Sequence, residues 1–70
     1  MYNYAKLLGR MKERGYTQQS LARDVGISEC TLNLKLNNKR GFKQDEIVAV
    51  GNLLGISSSE IPEYFFTHEL

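Results

Sequence analysis

The sequence predicts an all-α fold of five short helices, the second and third of which are joined by a tight turn. Three observations lead to this prediction: apolar residues recur at helical spacing, N-cap residues precede them, and Gly15, Gly26 and Gly55 follow them. A chain of 70 residues has room for one domain. We expect this domain to span residues 1–66, with residues 67–70 as a frayed tail.

The first helix is expected to be capped by Asn3 and to end near Arg14. Its apolar side chains are Tyr4, Leu7, Leu8 and Met11. The second helix is expected to be capped by Thr17 and to carry an apolar face made of Leu21, Ala22 and Val25. Gly26 stands where this helix must stop, a position that commonly takes the left-handed conformation that glycine adopts without strain.

The third helix is expected to begin after Ser28, a second N-cap residue, and to bury Leu32 and Leu36. Ile27 is expected to fill the space between the second and third helices. The turn between them has only three or four residues, which is typical of a helix-turn-helix unit. Residues 37–41 then form a turn-rich loop, which Phe42 is expected to pin to the core.

The fourth helix is expected from about Gln44 to Leu54, with acidic residues in its first turn that favour the helix dipole. Its buried stripe consists of Ile47, Val50 and Leu54. Ser57 and Glu60 have the spacing of a capping box, which predicts a short final turn. Pro62 is expected to cut this turn off.

One ordered set of residues carries a family resemblance. It consists of Thr17-Gln18-x-x-Leu21-Ala22-x-x-x-Gly26-Ile27-Ser28-x-x-Thr31-Leu32, followed by Leu36-Asn37-Asn38-Lys39. This set resembles the helix-turn-helix of the phage Cro and repressor (XRE-like) family, and the similarity continues over roughly residues 4–66. The Tyr64-Phe65-Phe66 ending is similar to that of very short phage regulators. The resemblance implies a compact lambda-repressor-like DNA-binding domain that regulates transcription from operator DNA of a phage or prophage.

In such a domain the third helix is expected to lie in the major groove, while the start of the second points at a phosphate. The residues expected nearest to base edges are Glu29, Cys30, Asn33 and Leu34. The residues expected to contact phosphates are Thr17, Gln18, Ser28, Asn37, Lys39, Arg40 and Lys43. The resemblance implies the phosphate contact of Gln18.

The third helix departs from the family at these positions, where many members carry Gln, Arg or Ser. Glu29 repels phosphates, and Cys30 and Leu34 have little hydrogen-bonding capacity. Two interpretations remain open. Either the DNA site is rich in thymine and is read partly through its shape and bound water, or Leu34 and its neighbours contact a protein. A redox role for Cys30 is a further alternative, against which an inert thiol is favoured.

Charge is divided unevenly along the chain, although the net charge is only +1. Residues 1–43 hold all nine Lys and Arg against three acids, a net charge of +6. Residues 44–70 hold the other five acids and no Lys or Arg, a net charge of −5. The basic part contains the predicted helix-turn-helix, as attraction to phosphate requires.

Several classes of protein are disfavoured by composition. One cysteine excludes an internal disulfide, and one cysteine with one histidine cannot form a four-ligand zinc site. The sequence shows no catalytic triad, paired carboxylates or phosphate-binding glycine loop, so we expect neither an enzyme nor a bound cofactor or small molecule. It also shows no leader and no membrane-spanning run, so we expect a cytoplasmic protein that does not bind membranes.

The aromatic ending has two interpretations. Ile61, Tyr64, Phe65 and Phe66 either close the core over the first helix or remain partly exposed for a dimer. A homodimer is expected on palindromic operator DNA, and its interface must lie in the fourth helix, the fifth helix or this ending. The alternative function is a protein-interaction module on the same fold, which acts on another regulator as an antirepressor or antitoxin-like partner.

Overall fold

The structure, a computed structural model that describes residues 1–69, consists of five helices and confirms the all-α prediction. The helices are α1 (Ala5–Glu13), α2 (Gln18–Val25), α3 (Glu29–Leu36), α4 (Gln44–Leu54) and α5 (Ile61–Phe65). The longest has 11 residues, and among residues 1–69 no helix has both the length and the apolar character needed to cross a bilayer.

The core lies where all five helices meet. Its most deeply buried side chains are Leu7, Leu21, Leu32, Val50, Leu54 and Phe65. Phe42, from the segment between α3 and α4, packs edge-on against both Tyr4 and Phe65, with ring centroids 5.5 and 5.3 Å apart. Phe42 thus pins its loop to the core, as predicted, because edge-to-face aromatic pairs favour this geometry.

The caps predicted for α2 and α3 are present. The Thr17 hydroxyl accepts a hydrogen bond from the Ser20 amide at 3.1 Å, and the Ser28 hydroxyl accepts one from the Thr31 amide at 3.0 Å. Gly26, with φ of +92°, ends α2 in the left-handed conformation. The turn between α2 and α3 therefore has three residues, 26–28, and its two ends are defined by local hydrogen bonds.

Three details differ from the expectations. Helix α1 begins one residue later than predicted, with Tyr4 at the N-cap position, although Asn3 still accepts a hydrogen bond from the Ala5 amide. Leu8 is 42% exposed because it lies about 100° around the helix from the buried stripe. Pro62 lies in the first turn of α5 and does not end it. A first-turn residue needs no amide proton, which makes proline compatible with a helix start.

The chain ends lie side by side. Tyr2 and His68 form an antiparallel bridge, the Asn3 amide donates to the Thr67 carbonyl at 2.6 Å, and the Glu69 amide donates to the Met1 carbonyl at 2.9 Å. In the structure residues 67–69 are thus paired with residues 1–3, and a backbone pairing between such distant segments leaves no local sequence signal. Leu70, the last residue of the predicted tail, lies outside the described residues.

Candidate nucleic-acid interface

Helix α3 has a buried side and an exposed side. Leu32 is fully buried and Leu36 nearly so, and α2 packs more extensively against α3 than any other pair of helices packs together. On the opposite side, Glu29, Cys30 and Asn33 are exposed. Leu34 is half-buried, so part of its side chain belongs to the packing of the domain rather than to the surface.

One hydrogen bond joins the two helices at this surface. The Asn33 amide nitrogen donates to the Gln18 side-chain oxygen at 3.2 Å. The bond brings together a predicted base-contacting residue and a predicted phosphate-contacting residue, which lie 15 positions apart in the chain. We call the surface formed by Gln18, Glu29, Cys30 and Asn33 the α3 face. Its side chains offer amide donors and acceptors and one carboxylate, which are groups that base edges can bind.

Thr17 and Ser28 lie at the rims of the α3 face, but their hydroxyl groups are occupied. Besides capping the helices, the Ser28 hydroxyl donates to the Thr31 hydroxyl at 2.8 Å, and the Thr17 hydroxyl lies 3.2 Å from that of Ser20. What remains for an anion at these two places is the set of backbone amides in the first turns of α2 and α3. Both caps are exposed to solvent.

Residues 37–43, which we call the basic loop, follow α3 directly. Asn37, Lys39, Arg40 and Lys43 are all exposed. The loop is held at its start by Asn38, a residue that sequence reasoning passed over. Its side chain accepts from the Tyr2 amide and donates to the Tyr2 carbonyl, both at 2.9 Å. Asn38 has φ of +61°, a left-handed conformation that asparagine tolerates better than most residues.

A buried ion pair holds the end of the basic loop. The Lys35 ammonium lies 2.7 Å from a Glu46 carboxylate oxygen and donates to the Gly41 carbonyl at 3.0 Å. The same Glu46 oxygen accepts from the Lys43 amide at 2.8 Å. Burial would raise the pKa of the Glu46 carboxyl, but the hydrogen bonds from Lys35 and Lys43 outweigh it and leave this pKa below its ordinary value.

The sequence analysis missed this pair, although one signal was available. Lys35 lies three residues after Leu32 and therefore on the same side of α3 as the buried stripe. A cation at such a position needs an internal partner, because an unpaired buried charge is costly. Only the fold identifies Glu46 as that partner.

The structure also shows which Lys and Arg side chains bind groups within the protein. Lys6 pairs with Glu63, Arg10 donates to the carbonyls of Leu54 and Gly55, and Lys35 pairs with Glu46. These three cations bind the acidic half of the chain internally. The exposed cations that follow α3 directly in the chain are those of the basic loop, namely Lys39, Arg40 and Lys43.

A second surface is formed by α4, α5 and the segments next to them. A groove of about 600 Å³ runs between α4 and the segment from Ile56 through α5 to Phe66, and we call it the α4–α5 groove. Val48 and Phe66 line it and are 56% and 45% exposed. Of the aromatic ending, Tyr64 and Phe65 close the core, as one interpretation predicted, while Phe66 remains at the surface.

Comparison with known proteins is consistent with a small phage regulator-like protein. The solution structure of the modulator of repression (MOR) of the temperate bacteriophage TP901-1 from Lactococcus lactis is similar, with 43% identity and a TM-score of 0.80 over 93% of this chain and 88% of that one. Cyanate hydratase of Laccaria bicolor is 34% identical over 55 residues, or 79% of this chain, which spans only 33% of that enzyme's length. The family model described as a protein of unknown function (DUF739) matches residues 1–68, and this chain belongs to that family.

Proposed function

We propose that this protein is a transcriptional regulator of phage or prophage origin that binds double-stranded operator DNA with its α3 face and basic loop. The observation that carries the proposal is the juxtaposition of an exposed, hydrogen-bonding helix face with three exposed cations next to it. Such an arrangement supplies base contacts and phosphate contacts side by side. The proposed role is binding rather than catalysis, it needs no cofactor, and two copies would occupy a palindromic operator. Its place of action is the cytoplasm of a bacterial host.

Within this proposal the residues divide by chemistry. Lys39, Arg40 and Lys43 neutralise phosphates, while the first-turn amides near Thr17 and Ser28 bind phosphate oxygens. Asn33 pairs with adenine and Glu29 accepts from cytosine N4. The exposed part of Leu34 meets a thymine methyl group. The resemblance to Cro and repressor proteins implies that Gln18 contacts a phosphate.

The test is a salt titration of binding to the DNA upstream of the protein's own gene. Lys39→Ala and Arg40→Ala should each weaken binding to every sequence and lower the slope of log affinity against log salt by about 0.9, because each contact releases condensed counterions. Lys12→Ala, which removes an exposed cation from α1, is the matched control and should leave the slope unchanged. A slope that is equal in the wild type and in both loop variants would rule out the phosphate contacts.

Direct reading of bases needs a different measurement. Asn33→Ala should cost about 1–3 kcal/mol of binding at a single base position and little at the others, because its amide pairs with one base. Affinities for a set of operators with single substitutions give this profile. A uniform loss across all substitutions would contradict direct readout.

A second candidate function is a protein-interaction module that acts on another regulator. It is favoured by the α4–α5 groove, an apolar surface with two exposed large side chains, Val48 and Phe66. The name of the similar phage protein, modulator of repression, points in the same direction. The proposed occupant is an apolar segment of a second regulatory protein with basic flanks, because residues 44–69 hold the exposed acids Asp45, Glu60 and Glu69 and no Lys or Arg.

The two candidates respond differently to one substitution. Val48→Lys places a charge in the groove, and under the second candidate it should abolish regulation of a reporter driven by the upstream DNA while leaving DNA affinity unchanged. Leu8→Lys is the matched control, since Leu8 is a comparably exposed apolar residue on α1. Full regulation by Val48→Lys would eliminate the second candidate, and loss of regulation by Lys39→Ala in the same reporter would support the first.

A further inference from the structure

The buried Lys35–Glu46 pair is placed to control the shape of the basic loop. Lys35 is 3% exposed and Glu46 is 8% exposed, so both charges are withdrawn from solvent. The pair joins α3 to α4, the two helices between which the loop runs. A buried charge pair contributes little net stability compared with apolar residues of similar size, so its presence calls for another role.

The hydrogen bonds of the pair show what that role is. Lys35 binds the Gly41 carbonyl and Glu46 binds the Lys43 amide, so the two charged groups hold both ends of the tripeptide 41–43. The start of the loop is held separately, because the Leu34 carbonyl accepts from the amides of Lys39 and Arg40. Residues 41 and 43 are therefore held by the ion pair, and Phe42 between them is held by its packing in the core. Residues 37–39 are held instead by Asn38 and the Leu34 carbonyl.

We propose that Lys35 and Glu46 are positioning residues that hold the second half of the basic loop, and with it Lys43, in the conformation that meets DNA phosphate. This inference rests on the proposed DNA-binding function. Neither side chain reaches DNA, since both are buried; they act through the backbone that they bind. Phosphate contacts depend on such preorganisation because ordering a loop at the moment of binding has an entropic cost.

The test replaces the pair with apolar residues of similar size. Lys35→Met with Glu46→Leu leaves the net charge of the protein unchanged, so long-range attraction to DNA is preserved. Backbone order parameters from ¹⁵N relaxation should fall from about 0.85 to below about 0.6 at Gly41 and Lys43, the two residues that the pair binds. They should stay at the wild-type level at residues 37–39. Binding to a mixed-sequence 20-base-pair duplex is measured over a salt series. The slope of log affinity against log salt should fall by about 0.9, the amount that one phosphate contact contributes.

The control is a second charge-neutral exchange. Lys6→Met with Glu63→Leu removes an exposed ion pair that joins α1 to α5, far along the chain from the loop. It should change neither the loop order parameters nor the salt slope. Wild-type values of both quantities in the Lys35/Glu46 double variant would overturn the proposal.

The outcomes also separate this proposal from the function on which it rests. If the wild-type protein shows no salt-dependent binding to DNA, the proposed function fails, and the order parameters alone decide whether the pair positions the loop. If the double variant does not fold, Lys35→Gln with Glu46→Gln is measured instead, because it also removes both charges but keeps polar groups that can hydrogen-bond. Unfolding of both variants, with the control pair folded, would assign the ion pair to general stability and overturn the positioning role.

Discussion

The α3 face and the α4–α5 groove are both exposed, yet they are built in opposite ways. The α3 face and the basic loop are held by polar groups: capped helix starts and the Gln18–Asn33 hydrogen bond for the face, and Lys35 with Glu46 for the loop. The groove is apolar and lies directly over the core, with Phe66 next in sequence to the fully buried Phe65. The first surface offers hydrogen-bonding groups and charge, and the second offers apolar side chains in a groove. Substitutions that separate stability from recognition should therefore act differently on the two.

The largest effect is expected from two neighbouring aromatic residues beside the groove. Phe65→Ala should lower the free energy of unfolding by roughly 3–5 kcal/mol, because it empties a fully buried site. Phe66→Ala should lower it by only about 1–2 kcal/mol, since 45% of its surface is already exposed. Urea denaturation followed by circular dichroism measures both. Equal losses would mean that the groove and the core are one packing unit.

The second largest effect is expected at the Lys35–Glu46 pair, which holds the basic loop. Lys35→Met alone should lower the free energy of unfolding by roughly 3 kcal/mol at neutral pH, because it leaves the buried Glu46 carboxylate without its cation. The control is the apolar double replacement, which should lose less because it removes both charges.

The same pair predicts a pH dependence in the wild-type protein. The pKa of Glu46 is lower in the folded state than in the unfolded state. Its stabilising contribution is therefore complete above the unfolded pKa of about 4.3 and is lost as the pH falls through the folded value. Thermal unfolding between pH 3 and 7 should show this loss, and the apolar double variant should show a flatter profile. Identical profiles would contradict the assignment of acid sensitivity to Glu46.

The smallest effect is expected at the start of α3. Ser28→Ala should lower the free energy of unfolding by about 1 kcal/mol, because the Thr31 amide loses its cap. Ser58→Ala, in the exposed turn before α5, is the matched control and should change it by less than about 0.5 kcal/mol. If Ser28→Ala weakens DNA binding far more than it destabilises the fold, the hydroxyl also has a role at the DNA.

Much of the fold was predictable because its signals are local. The caps at Thr17 and Ser28 and the glycine at position 26 act within three or four residues, and the structure confirms all three. The buried stripe of α4 was also found from spacing, since the same residues face the core in any packing of that helix. Pro62 was misjudged because its meaning depends on where α5 begins, and helix boundaries are poorly marked in sequence.

The candidate site was predictable only in part. Spacing was enough to place Glu29, Cys30 and Asn33 on the outer side of α3. It was not enough to show that Leu34 is half-buried or that Gln18 bonds to Asn33. Charge counting assigned a net charge of +6 to residues 1–43 without showing where the cations point. In the fold, Lys6, Arg10 and Lys35 bind groups within the protein. The DNA contacts themselves are predictions, which the salt titration tests.

The amino-acid sequence was sufficient for the number of helices, the caps of α2 and α3 and the turn between them, because each depends on residues within one helical turn of one another. The fold was needed to pair Lys35 with Glu46, to hold Asn38 against Tyr2 and to bring Tyr2 beside His68. It was also needed to bury Phe65 while leaving Phe66 exposed. The paired residues are separated by 11 to 66 positions in the chain. The burial of Phe65 rather than Phe66 depends on which side of the short α5 helix meets the core. Contacts of this kind depend on how the helices pack together, and the local spacing of residues does not determine that packing.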